Sequence, residues 1–365
     1  MTKKADDIST KKASKTPAKV SGHAPANAAA QMSLFDAKTE SSKTVVKKAA
    51  PAAVVVAAPV TKPAVAKRRA AGQHGGKKNE TGTAAAYTGA DIQILEGVQH
   101  IRQRPGMYIG STSTSGLLHL IYEAVDNVVD EFAAGFGSTL HLTIEQNGRV
   151  TVRDEARGIP IDPKESGGVV LPAAAWIFLK PFTGGKFEAG AYKQAGGLHG
   201  VGLTVINALS SELVVDIWRD NKHYHQEFRH GGSFSKPVIV PYKGLLHGTQ
   251  IAWLYDQTIF DEDVVYDIEA LTFRFEATAC LNRGLKIDFT YWDEEEGKNV
   301  NRAFHSEKGL VDYVQRLMPG GAPLIKLPIS IARTREDVSL EVALQPDSRS
   351  YKTQILSFAN GVRTT

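Results

Sequence analysis

Glu123-Ala124-Val125-Asp126-Asn127-Val128-Val129-Asp130-Glu131 is the stretch from which the rest of the chain is read. Leu120, Val125, Val128 and Val129 form an apolar stripe at helical spacing, which predicts a helix over Leu117 to Ala134. Glu123, Asn127 and Asp130 or Glu131 follow at intervals of three and four, so they share a face beside that stripe. Alone, such a face is equally what a solvated acidic helix presents. The helix is followed by Leu140 to Ile144 and Arg149 to Arg153, two alternating runs around Asn147-Gly148. That pattern predicts a hairpin.

Working outward, Ile92, Leu95, Val98 and Ile101 predict a short helix stopped by Arg104-Pro105-Gly106. Leu213 to Trp218 and His223 to Phe228 predict a second hairpin around Asp220-Asn221, with a further strand over Gln250 to Leu254. Leu203 to Ser210 and Asp267 to Ala279 read as helices, and Lys286 to Tyr291 as a strand. The fold class is therefore α+β, a mixed and mainly antiparallel sheet under helices. A second unit is predicted from residue 303, with a helix over Gly309 to Leu317 and strands over Val338 to Leu344 and Gln354 to Phe358. It reaches Thr365 without a closing element, so the expectation is an incomplete α/β domain in a chain cut short. The organisation is 1–85 tail, 86–302 first domain and 303–365 partial second domain.

The tail is set apart by composition. Residues 1–85 hold 16 Lys and Arg against 5 Asp and Glu, whereas the remainder holds 27 against 34. Ala, Lys, Pro, Ser and Thr dominate it, and such a segment buries too little apolar surface to offset the entropy of ordering. A basic tail of this kind either touches nucleic acid through phosphates or serves as a solvated tether. No run approaches the ~20 apolar residues of a membrane span. Nothing after Met1 resembles a secretory core, and one cysteine, Cys280, excludes a disulfide scaffold. A cytoplasmic protein is expected.

Two further stretches point to a bound ligand. Arg153-Asp154-Glu155-Ala156-Arg157-Gly158-Ile159-Pro160 puts a carboxylate at a strand end before small residues. That arrangement suits a flat base whose exocyclic amine needs an acceptor, and equally an ordinary polar turn. The glycine-rich Gly184-Gly185-Lys186-Phe187 to Gly200-Val201-Gly202 precedes a helix, where backbone N–H groups can converge on an anion. No Gly-Lys-Ser/Thr ends it, so it is not a Walker A loop.

Taken in order, these stretches resemble the GHKL (Bergerat) ATPase superfamily: a Glu…Asn helix, an Asp-x-x-x-Gly box and a Gly-rich lid. Arg104-Pro105-Gly106-Met107-Tyr108-Ile109-Gly110 and Gly196-Gly197-Leu198-His199-Gly200-Val201-Gly202 look more narrowly like the type IIA DNA topoisomerase B subunits, of gyrase B and topoisomerase IV ParE type. Phe358-Ala359-Asn360-Gly361-Val362-Arg363-Thr364-Thr365 is similar to a segment of that family's transducer domain. The resemblance covers Tyr87 to Thr365.

The resemblance implies a GHKL sandwich that binds ATP and Mg2+. It makes Glu123 the general base and His119 the residue that orients it. Asn127 would hold the Mg2+. Asp154 would receive the adenine amine, with Arg157, Gly158 and Ile159 beside the base and Thr249 supporting a water there. Lys186, Tyr192, Gly197, Leu198, His199, Gly200, Val201 and Gly202 would close over ribose and triphosphate. Tyr87 and Ile92 match an arm that crosses to a second protomer.

It also implies partners: DNA, a gyrase A- or ParC-type subunit, and a second copy brought in by ATP. Gln31-Met32-Ser33-Leu34-Phe35 resembles the motif that docks on the replication sliding clamp, although a chance match in a biased tail reads the same. The chain departs from the family at Ala156, where Gly is usual, and at Lys180-Pro181-Phe182-Thr183, where Pro181 should break a helix early and re-aim the lid. By the resemblance, the transducer loop that supplies a lysine to the γ-phosphate is expected beyond Thr365. Two activities thus stand side by side: an ATP-hydrolysing gate, or a module that binds nucleotide and dimerises without efficient turnover.

Overall fold

The computed structural model describes residues 97–185, 200–318, 320–336, 338–349 and 353–364. The tail 1–85 with Gln31–Phe35, and the helix start at Ile92 and Leu95, lie outside the described residues.

The first helix is described from Gly97, as α1 (Gly97–Gln103), and stops ahead of Pro105. A proline ring disfavours helical geometry in the residue before it. α2 (Gly106–Ile109) is a single turn inside the predicted stop. α3 (Thr114–Ala133) begins one turn before Leu117, because Thr114, Ser115 and Gly116 carry no apolar side chain to extend the stripe. A Cβ on Gly116 would overlap the Ser111 carbonyl, so glycine lets the chain enter α3 tightly. Leu117, Leu120, Ile121, Ala124, Val125 and Val128 form its buried face.

β1 (Thr139–Ile144) and β2 (Val150–Asp154) form the predicted hairpin, with Leu140 opposite Asp154 and Ile144 opposite Val150. An outlying hairpin, β3 (Pro163–Ser166) and β4 (Val169–Pro172), leads into α4 (Ala173–Leu179). α5 (Gly202–Ala208) is shorter than predicted, since Ser210 already opens β5 (Ser210–Arg219). β6 (Lys222–Arg229) returns through Asp220 (φ 53°) and Asn221 (φ 57°), the paired left-handed residues of a type I′ turn. β7 (Gly232–Ser233), β8 (Val238–Pro241) and β9 (Gly248–Tyr255) follow. In α6 (Ile268–Leu281), Ala270 N donates to Asp267 Oδ1 at 2.9 Å, an N-cap. β10 (Lys286–Asp293) and β11 (Lys298–His305) complete the main sheet. β11 was not predicted: in this edge strand, Lys-Asn-Val-Asn-Arg-Ala-Phe-His, only Phe304 is buried, so little apolar alternation announces it.

The strand order is β11-β10-β1-β2-β9-β5-β6-β7, with β8 also on β6. Only β1 and β10 run parallel among these pairs, so the sheet is mixed and mainly antiparallel, as expected for a GHKL sandwich. One face is apolar: Leu140, Leu142, Val152, Leu213, Val215, Ile251, Trp253 and Phe289 are all nearly inaccessible. α3, α5 and α6 pack against the sheet. Each large apolar side chain so buried contributes roughly 1.5–3 kcal/mol. Burial of one face only is why the strands alternate so legibly.

Beyond β11, α7 (Leu310–Arg316) sets Tyr313 against Ala277 and Cys280 of α6, with Leu356 and Phe358 packed on them. β12 (Ile329–Arg335) and β13 (Val338–Leu344) pair as a hairpin. Strand begins at Ser357 and not at Gln354: β14 (Ser357–Ala359) pairs with β15 (Val362–Thr364) around Asn360-Gly361. Among the described residues no helix is long and apolar enough to cross a membrane.

Candidate active site

α3 sorts its carboxylates by face. His119 Nε2 stands 3.2 Å from Glu123 Oε1, one turn away. Asn127 donates its Nδ2 to the Glu123 carbonyl at 2.7 Å, which fixes the carboxamide against its own helix. Glu131 grips Arg157 with two hydrogen bonds, 2.9 Å to Nε and 3.0 Å to Nη2. Asp130, by contrast, is buried, and Asp126 lies 3.4 Å from Arg274 of α6. Burial pushes the Asp126 carboxyl up, Arg274 opposes it, and Glu123 adds to it. Of the two candidates for the shared face, Glu131 therefore joins Asn127, and Asp130 belongs to the core.

Asp154 ends β2 with its side chain buried. Its Oδ1 accepts from Ala156 N at 2.8 Å and Thr249 N at 3.2 Å. Burial pushes its pKa up to about 6, against the pull of those two hydrogen bonds. Thr249 also accepts Ile159 N on its Oγ1 at 3.1 Å, so β9 ties the strand end and the following loop together. Gly248 makes that approach possible: at φ 106° its missing Cβ would lie 2.7 Å from Asp154 Oδ1. Gly158 is equally constrained, at φ 74° with a Cβ position 3.0 Å from Ile217 Cγ2. Arg219 donates to the Gly158 carbonyl at 2.8 Å.

The end of the glycine-rich segment meets α3. Val201 precedes α5, and a Cβ on Gly202 would overlap Glu123 Oε2. Thr183 N donates to the Gly200 carbonyl at 3.2 Å, which anchors the two ends of the segment to each other. Lys186, Tyr192, Gly197, Leu198 and His199 lie outside the described residues, as does Tyr87.

Both departures acquire a physical setting. Ala156 is buried, and a Cβ on Gly137 would approach its N, Cα and Cβ at 3.2–3.3 Å. The methyl is thus accommodated by a glycine in the loop between α3 and β1. α4 does end early, at Leu179, with Lys180 extended before Pro181 and Phe182 left-handed at φ 61°.

Glu123, His119, Asn127, Asp154, Arg157, Gly158, Ile159, Gly200, Val201, Gly202 and Thr249 are therefore linked by direct contacts or by adjacency in one region where α3, β2, β9 and α5 converge. Sequence reading missed Glu131 as the Arg157 partner, Gly248 as the opening beside Asp154, and Arg219; only Gly248, just ahead of a strand, left a local signal. A cavity of about 1330 Å³ lies on the other side of α3, between α6, α7 and β13, away from Asp154. Among the described residues no group of three or more His, Cys, Asp and Glu side chains is arranged to hold a metal ion.

The arrangement can hold a flat base at Asp154, keep a carboxylate poised at Glu123, and set a glycine-lined backbone between them. Residues 112–240 match the family described as Histidine kinase-, DNA gyrase B-, and HSP90-like ATPase. The DNA gyrase B protein of Enterococcus faecalis is 41% identical over 281 residues, covering 77% of this chain and 43% of that protein. The DNA gyrase B protein of Streptococcus pneumoniae serotype 4 is 40% identical over 278 residues, covering 76% and 42%. The chain spans less than half the length of these curated relatives. The crystal structure of the 43K ATPase domain of Thermus thermophilus gyrase B in complex with an aminocoumarin superposes with a TM-score of 0.62 at 30% identity, covering 74% of this chain and 67% of that one.

Proposed function

This chain belongs to the gyrase B family of GHKL ATPases, and on that premise we propose that it binds and hydrolyses ATP as the gate region of a type II DNA topoisomerase. The observation that carries this reading is the Glu123 carboxylate, held at 3.2 Å by His119, with Gly202 closed against it.

Glu123 takes the proton of the water that attacks the γ-phosphate, and His119 holds the carboxylate in line. Asp154 accepts the adenine amine, most strongly in its ionised form. Arg157, Gly158 and Ile159 flank the base, and Thr249 keeps the Asp154 carboxylate aligned while its hydroxyl supports a water. Gly200, Val201 and Gly202, together with Lys186, Tyr192, Gly197, Leu198 and His199, close over the ribose and phosphates. Tyr87 completes the pocket of a second protomer.

Asn127 would hold Mg2+. Its Nδ2 is given to the helix, so the carboxamide would reach a hard cation through its oxygen. Bound there, the ion offsets phosphate charge.

ATP favours the dimer because only differential affinity for two states can shift them. The gate then traps a DNA duplex and works with a gyrase A- or ParC-type subunit. Residues 86–302 form the nucleotide domain and 303–365 part of the transducer. The tail contributes nonspecific phosphate contacts, and Gln31–Phe35 docks on the sliding clamp. A tail peptide without clamp binding at high micromolar concentration would end that last assignment.

Calorimetric titration of ADP and a non-hydrolysable ATP analogue, with phosphate release from ATP, tests the core of the reading. Binding by the wild type, lost in Asp154→Asn, and turnover lost in Glu123→Ala are expected. Binding without turnover would favour the binding-only module, to which the early end of α4 at Leu179 points. No binding would overturn both.

A further inference from the structure

Phe136 lies in the turn that closes α3, and nothing in the core explains it. The ring is 39% exposed, which is costly for a phenyl group without a task. Two left-handed glycines flank it, Gly135 at φ 87° and Gly137 at φ 73°. Phe136 N donates to the Glu131 carbonyl at 2.9 Å, a helix-ending bond of the Schellman type that turns the chain back. The result is specific: the Arg157 Cζ sits 3.9 Å from the centre of the Phe136 ring.

Two residues of one helix end thus hold the same guanidinium in complementary ways. Glu131 fixes its edge with two hydrogen bonds. Phe136 fixes its face, where the negative π cloud attracts the cation. Gly137 keys this turn to Ala156, the residue before Arg157, because a side chain there would meet the Ala156 backbone at 3.2–3.3 Å. The two contacts restrict the guanidinium from its edge and from its face, three residues beyond the strand end that carries Asp154.

We propose that Phe136 is a positioning residue that sets the Arg157 guanidinium for a purine nucleotide whose base is held at Asp154. It acts through Arg157 and does not touch the reacting atoms. The proposal rests on the nucleotide reading above. The ring face preorganises a cation before the ligand arrives, so less freedom is lost on binding.

The test is calorimetric titration of ADP into the whole chain as wild type, F136L, F136Y, R157A and the F136L/R157A double variant, with thermal unfolding of each. Leucine keeps an apolar body but has no π face, whereas tyrosine keeps the face. A cation–π contact of about 1 kcal/mol corresponds to roughly fivefold in affinity. F136L should therefore remain folded, with an unfolding midpoint lowered by no more than loss of that one contact entails, and weaken ADP about fivefold; F136Y should bind as the wild type does, and F136L should cost nothing further in the R157A background. ADP binding by F136L within twofold of wild type would overturn the proposal. So would an equal loss on F136L with and without Arg157, which would mean action by another route. A second measurement needs no nucleotide: the Arg157 Nε–H resonance should be protected from exchange in the ligand-free wild type and at least threefold faster in F136L. Absence of ADP binding by the wild type would defeat the nucleotide reading, and unchanged Arg157 exchange would then defeat the positioning role separately.

Discussion

Gly202 and Glu123 occupy one another's space: a Cβ on the glycine would overlap Oε2 of the carboxylate. The residue that opens α5 is thus in contact with the proposed general base of α3, and a methyl group there obliges that carboxylate to move.

Gly202→Ala should therefore cut ATP turnover at least tenfold, because a misplaced base loses most of what general-base catalysis contributes, on the order of 10²–10⁴. ADP affinity should change less than turnover does, since Asp154 and Thr249 lie on β2 and β9 and not on α5. Steady-state phosphate release beside calorimetry checks both. Wild-type turnover in Gly202→Ala would show that Glu123 does not work from this position.

Nucleotide affinity should fall with acid. Burial pushes Asp154 up to about 6, and in the proposed site the ionised carboxylate is the stronger acceptor for the adenine amine. ADP should bind with constant affinity well above pH 6 and lose about tenfold per pH unit below it. The stability effect has the opposite sign: a buried carboxyl whose folded pKa exceeds its unfolded value destabilises the ionised protein, so this group adds stability as pH falls from 6 towards 4. In Asp154→Asn the amide must turn its oxygen to Ala156 N and Thr249 N, which leaves a donor facing the base. ADP binding should drop by about a hundredfold or more, its pH dependence lost. A flat affinity profile in the wild type between pH 5 and 8 would rule out an ionised Asp154 as the acceptor.

Asp256 should be a stability residue outside the site. Burial alone would raise its carboxyl, but hydrogen bonds from Arg102, Thr258 and His230 outweigh that and hold it well below the usual range. Arg102 Nη2 approaches at 2.7 Å and His230 Nδ1 at 2.8 Å. A depressed folded pKa contributes stability above the unfolded value, near 4, that is lost as pH falls through the folded one. Asp256→Asn should cost about 2–4 kcal/mol at neutral pH, read by urea unfolding, with a shallower acid transition than wild type. ADP affinity should stay within twofold.

Ala156→Gly should leave ADP affinity within twofold, because the methyl is accommodated by Gly137 and not by the space beside Asp154. Gly137→Ala should be the damaging member of the pair: it combines a positive φ with a crowded Cβ and should cost about 1–3 kcal/mol. Thermal unfolding and ADP titration of both variants decide this. Tighter ADP binding by Ala156→Gly would mean that the methyl narrows the pocket after all.

Legibility followed the physics of each feature. The α3 stripe and the two tight hairpins could be read because helix and strand periods and left-handed turn residues are local. β11 could not, since it pairs with β10 at the sheet edge and only Phe304 of its side chains is buried. The start of α3 was missed because its first turn is Thr-Ser-Gly. In the site, Glu123 and Asn127 share a face by spacing, but spacing alone could not separate Glu131 from Asp130. One meets Arg157, 26 residues away in sequence, and the other is buried.

The sequence by itself determined the α+β class, most of the elements and the order of the three motifs, because each is encoded within a few residues of its neighbours. Only the tertiary structure decided which groups meet. Thr249 N reaches Asp154 across 95 residues because β9 inserts beside β2. Gly202 closes on Glu123 because α5 packs on α3. Burial between those elements, which no local pattern carries, lifts the Asp154 pKa to about 6.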